Sequence, residues 1–161
     1  MKLFLKNLLF TILIPGTVAV YVPLLIEHGS RITAHAWLVI IGIPVIVFGA
    51  GIYGWTVWDF ANFGRGTPLP VDAPKKLVVR GLYQYTRNPM YLGVILIILG
   101  WAVIFASGWV LLYVVGISII VHLFVVRYEE PRLKQLFGSD YEAYRTAVGR
   151  WLPRIRRSRQ N

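Results

Sequence analysis

Residues 90–126 read MYLGVILIILGWAVIFASGWVLLYVVGISIIVHLFVV, two apolar runs parted at Ser107 and Gly108 with no Lys, Arg, Asp or Glu anywhere between their ends. A helical run of about 17 to 25 such residues is long enough to cross the hydrocarbon of a bilayer. The stretch therefore predicts a tight hairpin of two spans, Met90 to Ser107 and Trp109 to Val126, whose free ends return to one membrane face. At those ends stand RGLYQYTRNPMYLG (80–93) and RYEEP (127–131). Polar groups gathered at a bilayer boundary need a reason. The hairpin brings Asn88 to the depth of Glu129 and Glu130, so the two clusters are expected to form one site.

Upstream, Leu8 to Ile26 and Ala34 to Trp58 are also uninterrupted by charge, and 57% of the 161 residues are hydrophobic. That is too much apolar run for a soluble core of this size. Span one carries Pro15, Gly16 and Pro23, which predict a bent helix whose freed carbonyls find neighbours. Span two carries Gly42, Gly49, Gly51 and Gly54, small residues that let another helix approach closely. The last three spell GxGxxG, but no strand-to-helix turn fits inside an apolar span, so they read as packing. Trp55, Trp58, Trp101 and Trp109 read as interfacial anchors. The Pro- and Gly-rich segment from Asp59 to Val79 reads as an ordered inner loop suited to cover a site.

The net charge of +10 lies almost wholly in the segments that four spans place on one face, with Arg31 on the other. That asymmetry puts both termini in the cytoplasm and already accounts for the charge, so nucleic acid is not expected as a partner. With no cysteine there is neither a disulfide frame nor thiolate chemistry. Lys2 and Lys6 before a long apolar run resemble a signal peptide, but the run lacks a small-x-small cleavage site and reads as a retained span.

Beyond span four, Pro131 suits the first turn of a new helix and Gly138 its end. Ser139 and Glu142 read as a capping box. Tyr141, Tyr144, Val148 and Trp151 then recur at i, i+3, i+7 and i+10, an apolar face with Arg145 and Arg150 off it, for a helix that lies on the membrane or covers the bundle's inner mouth and that Pro153 stops. Arg154, Arg156, Arg157 and Arg159 make a basic tail for anionic headgroups. His122 inside span four is a functional candidate, or one partner of a hydrogen bond between helices.

No nucleophile triad, metal-ligand cluster or phosphate loop is visible, and no metal is expected. Two adjacent carboxylates, several arginines and several tyrosines fit a zwitterionic, partly aromatic cofactor: carboxylate for its ammonium, arginine for its carboxylate, tyrosine for an adenine or sulfonium. The bland alternative is headgroup contact with local ion pairs such as Glu130 with Lys134.

From about Gly66 to Pro153 the order RGLYQYTRNPMYLG, hairpin, RYEEPRLKQLFGSDYEAYRTAVGRWLP resembles the isoprenylcysteine carboxyl methyltransferase family and its bacterial relatives, which are related to the phospholipid N-methyltransferases. The resemblance implies an S-adenosylmethionine-dependent methyltransferase. It implies cofactor contacts by Asn88, Pro89, Tyr91, Gly93, Glu129 and Glu130, with Arg87, Arg127 and Glu129 serving catalysis. Isoprenylcysteine enzymes usually carry histidine where Asn88 stands, and many bacterial relatives carry asparagine.

The expected protein is an all-α integral membrane protein of four transmembrane helices, with a C-terminal helical hairpin and an amphipathic interfacial helix. A single domain 1–161 comprises two N-terminal spans (1–58), a cytoplasmic loop (59–89), the hairpin (90–127), and interfacial helices with the tail (128–161). The expected activity is methylation of a lipid or apolar small molecule drawn from the bilayer, of the isoprenylcysteine carboxyl type. Phospholipid ethanolamine N-methylation and a non-enzymatic membrane assembly module are the alternatives. A bacterial inner membrane is expected ahead of the endoplasmic reticulum.

Overall fold

The computed structural model describes residues 9, 11–28, 36–64 and 76–154, and these are helical apart from short connections. Helix α1 (Ile12–Glu27) winds as a π-helix over Ile12–Tyr21, around Pro15, and as an α-helix over Val22–Glu27. A proline removes one amide donor and crowds the carbonyl four residues back, and the wider winding accommodates it. The expected bend in span one thus takes the form of a change in winding. Helix α2 (Ala36–Asp59) continues into a π turn, Phe60–Gly64. A 3-10 turn, Gly81–Gln84, precedes helix α3 (Pro89–Phe105). Helix α4 (Gly108–Phe124) passes through the π turn Val125–Glu129 into helix α5 (Glu130–Ala147).

Helices α3 and α4 form the expected hairpin. Ala106 takes a left-handed conformation (φ 47°) and the Ser107 hydroxyl accepts from the Val110 amide at 3.3 Å, which caps α4. Helix α2 packs along α3 through glycines one heptad apart. A Cβ on Gly49 would stand 2.7 Å from the Gly93 carbonyl oxygen, and one on Gly100 would stand 2.9 Å from that of Gly42. Backbones this close need residues without side chains. Gly51 and Gly54 face open space instead, because offsets of two and five residues from Gly49 turn them to the far side of the helix. They are not part of the packing read from the sequence.

Ala19, Tyr53, Val94, Ile98, Ala102, Val110 and Val114 form the core between these helices. The outward faces are apolar: Ile40 is 71% exposed, Phe48 65%, Trp109 72% and Ile120 63%. Water would penalise such a surface and lipid does not. Ala36–Phe63 and Gly108–Ala147 are long and apolar enough to cross a membrane, whereas Ile12–Glu27 and Pro89–Phe105 are apolar but shorter.

A second cluster, Tyr141, Tyr144 and Val148 with Leu77, Leu133 and Phe137, lies beneath the hairpin's polar end. Gly138 breaks α5 as expected, with φ 51°. The helix then stops at Ala147, well before Pro153, and Val148 is extended. Trp151 therefore lies off the predicted apolar face: the backbone at Gly149 and Arg150 leaves the helix to bond the segment before α3. Lys2, Lys6, Arg31, the loop at 65–75 and the tail from 155 lie outside the described residues.

Gly49→Leu forces a side chain into a backbone contact, with an expected cost of about 1–3 kcal/mol or more. Thermal unfolding in detergent should show it destabilised, and Gly54→Leu close to the unaltered protein. Equal losses from the two would contradict this helix pairing.

Candidate functional site

The residues just before α3 carry few bonds of their own and are held by the chain's far end. Thr86 and Gly149 form an isolated parallel bridge, and the Arg87 amide donates to the Gly149 carbonyl at 2.9 Å. The Arg150 carbonyl accepts from the Thr86 hydroxyl at 3.0 Å and from Asn88 Nδ2 at 3.1 Å. The Thr86 hydroxyl accepts in turn from the Asn88 amide at 3.3 Å. Asn88 is buried, and Pro89 opens α3 as its first residue, where the missing donor costs nothing.

Side chains tie the same two segments through one carboxylate. Glu130 Oε1 lies 2.6 Å from Arg150 Nε and Oε2 lies 2.9 Å from Arg150 Nη2, a two-pronged pair. Arg87 Nη1 reaches Glu130 Oε1 at 3.0 Å and the Tyr141 hydroxyl at 3.1 Å, and only 7% of the Arg87 side chain is exposed. Burial pushes the Glu130 carboxyl up, but the Arg150 hydrogen bonds and the charges of Arg87, Arg150 and Arg145 outweigh it and hold it below the ordinary carboxylate range.

Glu129, one residue away, lives in the opposite environment. The Tyr91 hydroxyl donates to its Oε2 at 2.9 Å, and no cation pairs with it among the described residues. Burial raises its carboxyl above the ordinary range, the Tyr91 bond opposes this, and the Glu130 charge adds to it. The Tyr83 phenol stands within electrostatic reach of Glu129, Tyr144 and Asp59. Burial first, and those charges second, push it above its ordinary value. The Tyr144 hydroxyl donates to the Tyr83 carbonyl at 2.7 Å. Neighbouring carboxylates driven apart in this way recur at sites that bind charge or move protons and in structural ion-pair networks.

The phospholipid methyltransferase family matches residues 37–140, more than half of the chain, from α2 through the break in α5. The chain belongs to this family. It is similar to protein-S-isoprenylcysteine O-methyltransferase B of Arabidopsis thaliana, 26% identical over 123 residues, which are 74% of this chain and 61% of the plant protein. The chain thus spans about three fifths of that relative's length. An uncharacterized protein of Haemophilus influenzae is 33% identical over 63 residues, 39% of this chain and 100% of its own. No solved structure matches.

In this phospholipid methyltransferase family member, Arg87, Asn88, Tyr91, Glu129 and Glu130 come together as the sequence led one to expect. Gly93 does not join them. It faces Gly49 and Tyr53 across the α2–α3 contact. Arg127 is exposed and makes no ion pair among the described residues. The anticipated Glu130–Lys134 pair is absent, since Lys134 Nζ lies 2.7 Å from Glu142. His122 Nδ1 accepts from Trp151 Nε1 at 3.1 Å, so it bonds to the C-terminal segment. Sequence reasoning missed Thr86, Tyr83, Asp59 and above all Arg150, which an assumed continuous helix pointed away from the site. Among the described residues no group of three or more His, Cys, Asp or Glu side chains could hold a metal ion.

The opposite environments of the two glutamates give opposite pH effects. Glu130 is depressed in the fold, so its stabilisation is complete above an unfolded carboxyl value of about 4.3 and is lost as pH falls through the lower folded value. Glu129 is raised, so stability falls as pH climbs through its folded value. Glu130→Gln should cost about 1–3 kcal/mol at neutral pH by leaving two guanidinium groups underbonded. Glu129→Gln should be neutral or stabilising. Chemical unfolding in detergent at several pH values measures both signs, and matching losses would contradict the assignment.

Proposed function

We propose that this protein is a four-span membrane methyltransferase in a single domain, with both termini cytoplasmic in a bacterial inner membrane. S-adenosylmethionine is its donor and a lipidic or otherwise apolar molecule its acceptor. The observation that carries this reading is the pair of glutamates at the hairpin's polar ends, within a family match that covers both. Glu130 is held in the frame, while Glu129 is sheltered, accepts from the Tyr91 hydroxyl and lacks a cationic partner among the described residues. A carboxylate so placed suits the ammonium or sulfonium of the donor, and the tyrosine rings suit the same charge. On this reading Asn88, Pro89 and Tyr91 would contribute to cofactor binding, Tyr91 through its bond to Glu129, and Gly93 serves by letting α3 approach α2.

When bound, S-adenosylmethionine supplies an electrophilic methyl group on a positively charged sulfur. The task left to the protein's own residues would be alignment of donor and acceptor and exclusion of water. Arg87 and Arg150 keep the loop before α3 fixed to Glu130. Arg127, free at the rim, can position an acceptor carboxylate, which arrives ionised and becomes an ester of the isoprenylcysteine type.

A second reading, N-methylation of an ethanolamine headgroup, is favoured by one observation: Glu129 has the raised carboxyl that a base for an ammonium proton needs. The product separates the two, a base-labile methyl ester against a methylated amine.

Calorimetric titration of the detergent-purified protein should show saturable S-adenosylmethionine binding that weakens at least about tenfold in a folded Glu129→Gln variant. Labelled methyl transfer into membrane extracts should fail in step with it. Full binding and transfer by the variant would remove Glu129 from the site, and no binding by the unaltered protein would favour an assembly module.

A further inference from the structure

Asp59, at the inner end of α2, belongs to no cluster read from the sequence. It is nonetheless among the most buried polar residues described, 3% exposed. Oδ1 lies 3.5 Å from Arg80 Nε, a loose ion pair, and Oδ2 is buried without a hydrogen-bond partner among the described residues. A buried carboxylate oxygen left in this state is costly, so its retention calls for a physical reason.

Its surroundings supply one. Four residues on, the Phe63 ring receives the Arg80 guanidinium, whose carbon stands 3.7 Å from the ring centroid. Arg80 is thereby held by two side chains of α2 and its continuation. The next residue, Gly81, has φ 54°, a left-handed conformation that disfavours a side chain. A Cβ there would collide with Asp59 Oδ2 and would stand 3.2 Å from the Trp55 indole nitrogen. The chain is pressed backbone-first against the carboxylate. From this point the Gly81–Gln84 turn starts, with the Tyr83 amide donating to the Arg80 carbonyl at 3.0 Å and the Tyr83 carbonyl accepting from Tyr144.

We propose that Asp59 is a positioning residue for the site: by seating Arg80 and Gly81 on α2, it sets where the Gly81–Gln84 turn stands, whose Tyr83 carbonyl accepts from Tyr144 and which leads into Thr86, Arg87 and Asn88. The segment 80–88 is then anchored at both ends, to α2 by Asp59 and to the C-terminal segment by Glu130 and the Thr86–Gly149 bridge. One helix of the N-terminal pair thus takes part in building a site whose other residues come from the hairpin and the C-terminal segment. This role rests on the methyltransferase reading for its consequence, but not for its geometry.

The test perturbs one contact from both sides. Asp59→Asn keeps the shape and removes the charge, whereas Gly81→Ala leaves Asp59 intact and drives a methyl group against it. Gly51→Ala, which meets open space, is the control. Hydrogen exchange of the amides of residues 83–86 in detergent micelles should accelerate by about tenfold or more in both variants and stay unchanged in the control. Calorimetry should show S-adenosylmethionine affinity reduced by about tenfold in both, in proteins whose helical content is intact. Native exchange and native affinity in Asp59→Asn would overturn the proposal. If the unaltered protein fails to bind S-adenosylmethionine, the methyltransferase reading falls, and the exchange rates still uphold or overturn the anchoring.

Discussion

Glu130 accepts from two guanidinium groups that arrive from opposite ends of the polypeptide's functional half, one from the loop before α3 and one from the segment after α5. Charges at the edge of a bilayer lose much of their hydration, and the loss is offset only where geometry is good and the remaining donors and acceptors are occupied. Here the Arg150 fork meets both oxygens and Arg87 Nη1 adds the Tyr141 hydroxyl, while Arg87 Nε stays buried without a partner among the described residues. The bonds from the Arg87 amide and from the Thr86 and Asn88 side chains to the Gly149 and Arg150 carbonyls make the same connection, so all these contacts agree on one arrangement. With Glu130 so engaged, Glu129 is the carboxylate left over, and its sheltered position against Tyr91 follows from the helix path that Glu130 fixes.

The apolar half of the protein makes that arrangement possible. Glycine pairs at Gly42 with Gly100 and Gly49 with Gly93 seat α3 on α2 at backbone contact, and the short connection at Ala106 brings α4 back beside it. Lipid does not drive helices together as water does, so close packing and a few polar contacts between helices carry the association. The Tyr113 hydroxyl donating to the Val18 carbonyl at 3.0 Å and the Thr11–Tyr53 bond at 3.0 Å do this for α1. The depth of the two polar clusters is thereby set by helix length and one turn.

Helices were legible because charge-free runs and their breaks obey the thickness of a bilayer, which leaves few other readings for residues 90–126. The meeting of Asn88 and Tyr91 with Glu129 and Glu130 followed from hairpin geometry alone. What the sequence hid depended on rotation and on nonlocal pairing. Four glycines in span two look alike in a run apolar all round, and only the approach of α3 separates Gly49 from Gly54. A helical pattern through Trp151 fits the spacing, but the Gly149 and Arg150 carbonyls accept from the segment at 86–88 instead of continuing the helix. Arg150 was therefore assigned to the wrong face, and Asp59, a lone acid at a span's end, gave no signal without Gly81 beside it.

The most direct test of this account is a double-mutant cycle between Glu130 and Arg150, using Glu130→Gln, Arg150→Gln and the pair, followed by unfolding in bilayer-mimetic micelles. A coupling energy on the order of 1–3 kcal/mol is expected for a sheltered two-pronged pair within a network. Strictly additive losses would contradict the claim that this carboxylate joins the two ends of the site.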